Sequence, residues 1–236
     1  MLGLGLLSAC GSQQIKSSSS AVDPEYQLMA SLAYLPVLES KDGKYLPYGA
    51  ASNPYVTRGR IKKSSVAAFI EARKLFKSKQ YESASKQLSA LTKNDDSLSG
   101  PWVMQGDIKS AEGDLEAAEK IYEKALQTNK KNVNAWLRLA YTQRLQGQYL
   151  KAQNTYVNAL AVWQDCPETH LNLAILYDLY LNLPIRAQKH MEAYVFLSDE
   201  KDVRVSVWLD ELQGRTGVAL SLPLEGEQLQ SLVVAK

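Results

Sequence analysis

The sequence predicts an all-α protein: a solenoid of about four antiparallel helix pairs closed by a C-terminal capping helix, with irregular segments at both ends. Three observations carry this expectation. Sliding the chain against itself gives coincidences at a single offset of 34: Trp102 with Trp136, Gly113 with Gly147, Ala118 with Ala152, Tyr122 with Tyr156 and Ala125 with Ala159. A fixed period of about 20 to 50 residues marks stacked supersecondary units that share one core. Composition agrees, because 45% hydrophobic residues can furnish a core, whereas 2 Cys and 2 His supply neither a disulfide framework nor a tetrahedral metal cluster. Finally, Val203, Val207, Trp208 and Leu212 recur at helical spacing over residues 202–213, just where a solenoid needs a cap.

Taken from the N-terminus, residues 1–10 are apolar and end in Leu7-Ser8-Ala9-Cys10. This stretch resembles the end of a bacterial lipoprotein signal peptide. The resemblance implies cleavage before Cys10 and acylation of its thiol and new amino group, with residues 7–10 as the lipobox. The apolar stretch is shorter than the usual h-region of about 7 to 15 residues and no Lys or Arg precedes it, a departure that an upstream start would explain. Residues 11–22, rich in Ser, are too poor in apolar side chains to pack and read as a flexible tether. Lipoproteins look like this after their cysteine. Gly11 and Ser12, rather than an aspartate, follow Cys10, which by resemblance to enterobacterial sorting implies an outer-membrane lipoprotein facing the periplasm. No apolar run reaches the roughly 18 residues of a membrane-spanning helix.

Residues 23–63 form a flank containing Pro24, Pro36, Pro47 and Pro54 with Tyr26, Tyr34, Tyr45, Tyr48 and Tyr55. A short helix over residues 24–35 is expected, followed by an extended stretch lying along the solenoid. Arg58, Arg60, Lys62 and Lys63 make the one basic cluster. It reads as a solvated linker, or as a contact for anionic lipid or an acidic partner.

Residues 64–214 hold the repeats. The segment 99–132 has Trp102 at its fourth place, Gly106 at its eighth, Gly113 at a turn, then Leu115, Ala118, Tyr122 and Ala125. The segment 133–166 repeats this with Trp136, Leu139, Ala140, Gly147, Tyr149, Ala152, Tyr156 and Ala159. Both closely resemble the tetratricopeptide repeat, a pair of antiparallel helices that stacks into a right-handed superhelix. Residues 65–98 match with Ala72, Tyr81, Ala84, Leu88 and Leu91, although Ala68 and Lys79 stand where the Trp and the turn Gly would be. A fourth repeat from Pro167 carries Leu173, Ala174 and Tyr177, then Ala187, Met191 and Tyr194 displaced by a one-residue insertion near Leu183-Pro184-Ile185. A single pair cannot bury its own apolar face; stacking lets small residues such as Gly106, Ala140 and Ala174 sit where helices cross closely. The cap over residues 202–213 should end at Gly214. Residues 215–236 form an apolar C-terminal flank whose stretch 218–224 would be an aggregation liability in water. It is expected either to pack against the array, with the groove described below available to it, or to pair with a second copy as a homodimer; the competing reading is a disordered tail that only a partner orders.

Chemistry is sparse. His170 stands at the fourth place of its repeat, where Trp102 and Trp136 stand in theirs, and should pack. His190, among Arg186, Lys189 and Glu192, should be solvated, and Cys166 should be a buried, inert thiol. Asp95-Asp96 and Asp199-Glu200 are expected at helix ends or turns. Phosphate loops, dinucleotide fingerprints and metal-spaced cysteines are absent from the sequence. The expectation is therefore no enzyme, no cofactor and no metal, and a net charge of +2 gives no whole-chain field for nucleic acid.

What remains is binding. In tetratricopeptide arrays the first helix of each pair lines a concave groove through its second, fifth, ninth, twelfth and thirteenth places. The resemblance places Phe69, Val103, Leu137 and Leu171 at the fifth, Arg73, Asp107, Tyr141 and Ile175 at the ninth, and Phe76, Arg144 and Asp178 among the twelfth. Such a surface suits an extended or helical peptide. The function expected is a lipid-anchored, non-catalytic scaffold for a protein partner in an envelope assembly, whether pilus, outer-membrane insertion or TonB-type transport. The alternative is an accessory to peptidoglycan or glycan-processing enzymes.

Overall fold

Helices begin at the repeat spacing the sequence sets. The structure, a computed structural model, describes residues 27–56, 61–198, 202–224 and, as backbone, 233–235. Cys10, the tether, Arg58, Arg60 and Asp199-Glu200 lie outside the described residues. First helices of successive pairs are α1 (Lys63–Lys77), α3 (Ser99–Ala111), α5 (Val133–Leu145) and α7 (Pro167–Leu179); second helices are α2 (Tyr81–Asn94), α4 (Leu115–Thr128), α6 (Tyr149–Val162) and α8 (Pro184–Leu197). Between α7 and α8 the one-residue insertion appears in the turn at Asn182, whose φ is 52°. Gly113 and Gly147 occupy the corresponding left-handed position at φ 85° and 76°, and Lys79, standing where the first repeat lacks glycine, adopts φ 58°. That conformation costs a non-glycine residue about 1 kcal/mol. Starts are set by side-chain caps at Asp114 and Asn132, which accept from the Ala117 and Ala135 amides, and by Pro167 and Pro184 at the first turn.

The small residues lie where the helices cross. Ala84, Ala118, Ala152 and Ala187 are all fully buried, one per second helix, and Tyr122, Tyr156, Tyr177 and Met191 fill the space beside them. Gly106 shows how close the approach is: a Cβ there would stand 2.4 Å from the Tyr122 ring.

The cap α9 (Val203–Thr216) starts at Asp202, whose carboxylate accepts from the Arg204 amide, and ends at Gly217, with φ 66°. Gly214, the expected end of this helix, instead lies inside it. Leu212 is buried and Trp208 packs against the main core as expected, but the rest of the inward face differs. Val205, Leu209 and Leu212 are buried, while Val203 and Val207 face outward.

The N-terminal flank is a strap rather than a helix. Among its described residues only a 3-10 turn, Ser31–Tyr34, forms in place of the helix expected over residues 24–35. The helix loses because α6 takes the backbone groups it would need. Gln153 accepts from the Met29 amide and donates to the Met29 carbonyl, both at 3.1 Å, and Asn154 donates to the Gln27 carbonyl. A hairpin follows, β1 (Ser40–Lys41) with β2 (Lys44–Tyr45), around Asp42-Gly43 with positive φ at both residues. Then β3 (Tyr48–Ala50) runs parallel to β4 (Val233–Ala235). The extended stretch does lie along the solenoid: Tyr48 donates to Asp165 at 2.7 Å, the Ala51 amide to Asp165 at 2.6 Å, and Trp163 to the Ala51 carbonyl.

Of the C-terminal flank, the stretch 218–224 packs on α8 rather than in the concave groove. Gln188 donates to the Val218 carbonyl at 2.9 Å, and the buried Glu192 carboxylate accepts from the Ser221 amide at 2.8 Å and its hydroxyl at 2.6 Å. Leu222 is buried, with Leu220 and Leu224 against the main core.

His190 corrects another expectation. Its charged neighbours suggest a solvated face, yet it is wholly buried, because the insertion before α8 gives it the frame position of the buried Thr155. His170 packs as expected, and the two rings meet with Nδ1 to Nδ1 at 2.9 Å. The Gln164 carbonyl, 2.8 Å from His170 Nε2, can only accept, so that nitrogen carries the proton and His170 Nδ1 accepts from His190 Nδ1–H. His190 Nε2 then accepts from the Ser31 hydroxyl at 2.9 Å; Ser31 in turn accepts from Tyr177 at 2.7 Å, and Tyr177 from Gln153 at 2.7 Å. Every member of this chain is satisfied with both imidazoles neutral, and the chain ties the strap to α6, α7 and α8.

Candidate functional site: a concave groove on the first helices

First helices expose one face in common. Counting places from Ser65, Ser99, Val133 and Pro167, places 2, 5, 6 and 9 follow i, i+3, i+4, i+7 and so share a stripe on an α-helix. This stripe builds a groove of about 710 Å³. Its floor carries the fifth places, Phe69, Val103 and Leu137, and its walls the ninth, Arg73, Asp107 and Tyr141, as expected from the sequence. Second places Gly100, Asn134 and Glu168 and sixth places Met104, Arg138 and Asn172 complete it, with Asn132 at the start of α5. The second-place residues were legible from the family pattern. The sixth-place residues needed only the helical geometry of the stripe.

Tyr55, from the strap, closes one side. No periodicity announces it. Its hydroxyl lies 3.3 Å from Ser99 Oγ, which accepts from Asn132 Nδ2 at 2.9 Å. Strap, α3 and α5 are therefore linked at the groove wall.

The groove carries one internal ion pair. Asp107 takes Arg138 at 3.2 Å and the Tyr122 hydroxyl at 2.8 Å. Burial raises the Asp107 pKa above its ordinary value, and the Arg138 charge and the Tyr122 hydrogen bond pull it back only in part. Asp107 is thus a charge-paired carboxylate beside the apolar residues Val103 and Leu137 of the groove lining.

The remaining sequence candidates are not brought into this groove. Phe76 packs on Tyr81 with ring centroids 5.6 Å apart. Arg144 lies over the rings of Tyr141 and Tyr180, at 5.0 and 5.5 Å. Asp178 is held by Trp208 at 2.8 Å and Arg215 at 2.6 Å, both from the cap. Leu171 packs against the core shared by α7, α8 and α9, and Ile175, half-buried on α7, lies beyond the groove's lining. Twelfth places fall one turn past the stripe, where neighbouring helices and the cap claim them.

Other chemistry is quiet. Cys166 is buried and its thiol is pushed up to about 12, by burial first, which keeps it protonated and inert. Among the described residues no group of three or more His, Cys, Asp and Glu could hold a metal ion. No described helix is long and apolar enough to cross a membrane.

Comparison with known proteins agrees on the fold. Residues 110–156 match a family model of the tetratricopeptide repeat. Among solved structures, MamA from Desulfovibrio magneticus superposes with a TM-score of 0.54 at 16% identity, over 67% of this chain and 88% of that one. A tetratricopeptide protein from Thermus thermophilus gives 0.53 at 20% identity, over 64% and 81%. Pseudomonas aeruginosa pilF gives 0.58 at 17%, over 65% and 69%. No curated protein sequence matches the chain.

Proposed function

We propose that the protein is a non-catalytic adaptor that holds an extended segment of a protein partner in the groove of α1, α3, α5 and α7. The observation that carries this reading is the recurrence of one helix face, open to solvent, with Phe69, Val103 and Leu137 along its floor. Amides and charges stand beside that floor at Asn134, Asn172 and Arg138. An extended chain offers backbone groups to the amides and alternate side chains to the floor, which is how affinity and specificity divide in peptide grooves. Acylation at Cys10, read from Leu7-Ser8-Ala9-Cys10 and the polar stretch after it, would hold the adaptor on the periplasmic face of the outer membrane. There it would serve an envelope assembly such as a pilus, an outer-membrane insertion machine or a TonB-type transporter.

The experiment is affinity capture from detergent-solubilised envelope, comparing the wild type with the Val103→Glu/Leu137→Glu variant. A partner should be recovered by the wild type and reduced at least about tenfold by the variant, since two carboxylates on an apolar floor each lose more than about 1 kcal/mol of contact. Equal recovery by a variant with unchanged circular dichroism rules the groove out. Labelling the same cells with a fatty acid tests the anchor. Cys10→Ser should carry no label, and undiminished label would overturn the lipidation.

A further inference from the structure

Among the described residues, the places that join neighbouring repeats are left exposed at both ends of the array. Inside the solenoid, places 5 and 9 of one first helix meet places 2 and 6 of the next. A Cβ on Gly100 would lie 3.9 Å from Phe69 Cζ, and Asp107 pairs with Arg138 at 3.2 Å. On α1, Val66 and Ile70 hold places 2 and 6 with no repeat before them among the described residues, and they are 42% and 48% exposed. At the other end, Asp202 caps α9 as Asn132 caps α5, so Val207 and Glu211 hold places 5 and 9. Val207 is 52% exposed and Val203, one turn before it, 74%. Each end therefore presents an exposed aliphatic pair at i, i+4 on its outward helix face.

Charge separates the two ends. On the same face of α1 as Val66 and Ile70 stand Lys63, Arg73 and Lys77, all exposed. On the outward face of α9 stand Asp210 and Glu211, both exposed. The two arginines of α9 do not cancel them, because Arg204 is bound by Asp202 at 2.7 Å and Arg215 by Asp178 at 2.6 Å. One end is apolar and cationic, the other apolar and anionic.

We propose that copies of this chain associate head to tail, the outward face of α1 in one copy packing on the outward face of α9 in the next. Such a contact is heterologous: each copy keeps one end open, so association continues into short chains instead of closing as a dimer. One helix face against another buries less than the roughly 1,200 Å² of a stable complex, so the contact is weak in dilute solution. It strengthens wherever copies are held at high local concentration. The groove stays open in every copy, and the inference stands independently of what occupies it.

The test uses the full chain with Cys10→Ser, so that no acyl chain drives association, in sedimentation velocity from about 5 to 300 µM, the range in which a contact of this size registers. The average mass should rise above the 26.2 kDa monomer with concentration. Salt raised from about 0.05 to 0.5 M should weaken the association at least about fivefold, because the flanking charges are exposed. Lys63→Glu/Lys77→Glu and Asp210→Lys/Glu211→Lys should each remain monomeric alone, since each gives both ends the same sign. Mixed together they should associate again, the unmodified α9 end of the first variant on the unmodified α1 end of the second and the two reversed ends on each other. A monomer at every concentration overturns the proposal, as does association that both variants retain. Lysine reversal that abolishes binding to phosphatidylglycerol vesicles in a chain that stays monomeric would assign the α1 face to anionic lipid instead.

Discussion

Ala152→Glu is expected to lower the melting temperature by about 10 °C or more. Ala152 is fully buried in the core it shares with Ala140, Tyr156, Leu173 and Ala174. No cation stands among those neighbours, so the introduced carboxylate must either stay charged without a partner or take up a proton, and it must displace packed side chains in both cases. Burying an unpaired charge or overpacking a core costs several kcal/mol. A destabilisation of 1 kcal/mol moves the melting point of a domain this size by about 2–4 °C. Ala161→Glu, on the exposed face of the same helix α6, is the control and should move it by little more than a degree. Thermal melts followed by helical circular dichroism decide the matter. If the two variants melt together, Ala152 does not sit where the helices cross.

The same position explains why the fold is readable in the sequence. A repeat writes each core place several times, so Ala84, Ala118 and Ala152 identify one another by offset alone, and even the one-residue insertion before Pro184 only shifts the frame to Ala187. Half of the groove was readable for the same reason, in its fifth and ninth places. The twelfth places misled because Phe76 packs on Tyr81 of its own pair, while Arg144 and Asp178 meet residues with no counterpart in the other repeats, the Tyr180 ring and the cap. The strap has no period at all. Its path is fixed by long-range bonds from Gln153, Asp165 and Tyr177, partners more than 100 residues away in sequence, and so Tyr55 could not be assigned to the groove wall in advance. His190 is the intermediate case. Its frame position was available from the repeat, but the charges of Arg186, Lys189 and Glu192 pointed to solvent, whereas His190 is buried under the strap and Glu192 under the C-terminal flank.

Stability should fall steeply as the pH drops below about 6.5, and the two histidines should be the cause. Burial pushes the His170 ring down to about 4, offset only in part by the Gln164 carbonyl and the Asp165 charge. His190 lies well below its ordinary value, through burial first and then the neighbouring His170 and Arg186. Unfolded, both rings bind protons near pH 6.5. Above that value neither state is protonated and the full stability is present. Between about 6.5 and 4 the unfolded chain binds a proton that the folded His170 refuses, so stability declines by up to about 1.4 kcal/mol per pH unit on its account, and His190 adds to the decline in the same direction. For His170 alone the decline totals about 3 kcal/mol and levels off once the folded ring itself titrates. Asp107, whose carboxyl is raised, works in the opposite direction and softens the lower end of this window. The structural event is specific. A proton added to His170 Nδ1 sets N–H against N–H across 2.9 Å; relief takes either rotation of His190 away from Ser31 or a shift of its proton to Nε2, which costs the Ser31 hydroxyl its acceptor, and either loosens the strap's tie to the array. Urea unfolding at pH 8, 6 and 5 gives the slope, and a His170→Asn/His190→Gln variant should flatten it. Because the chain has only 2 His, their ring C–H resonances can be followed directly by NMR. Both should be silent from pH 8 to 5 in the folded protein; a ring that titrates near 6.5 would mean that the buried pair, and with it the strap's attachment, is not formed as described.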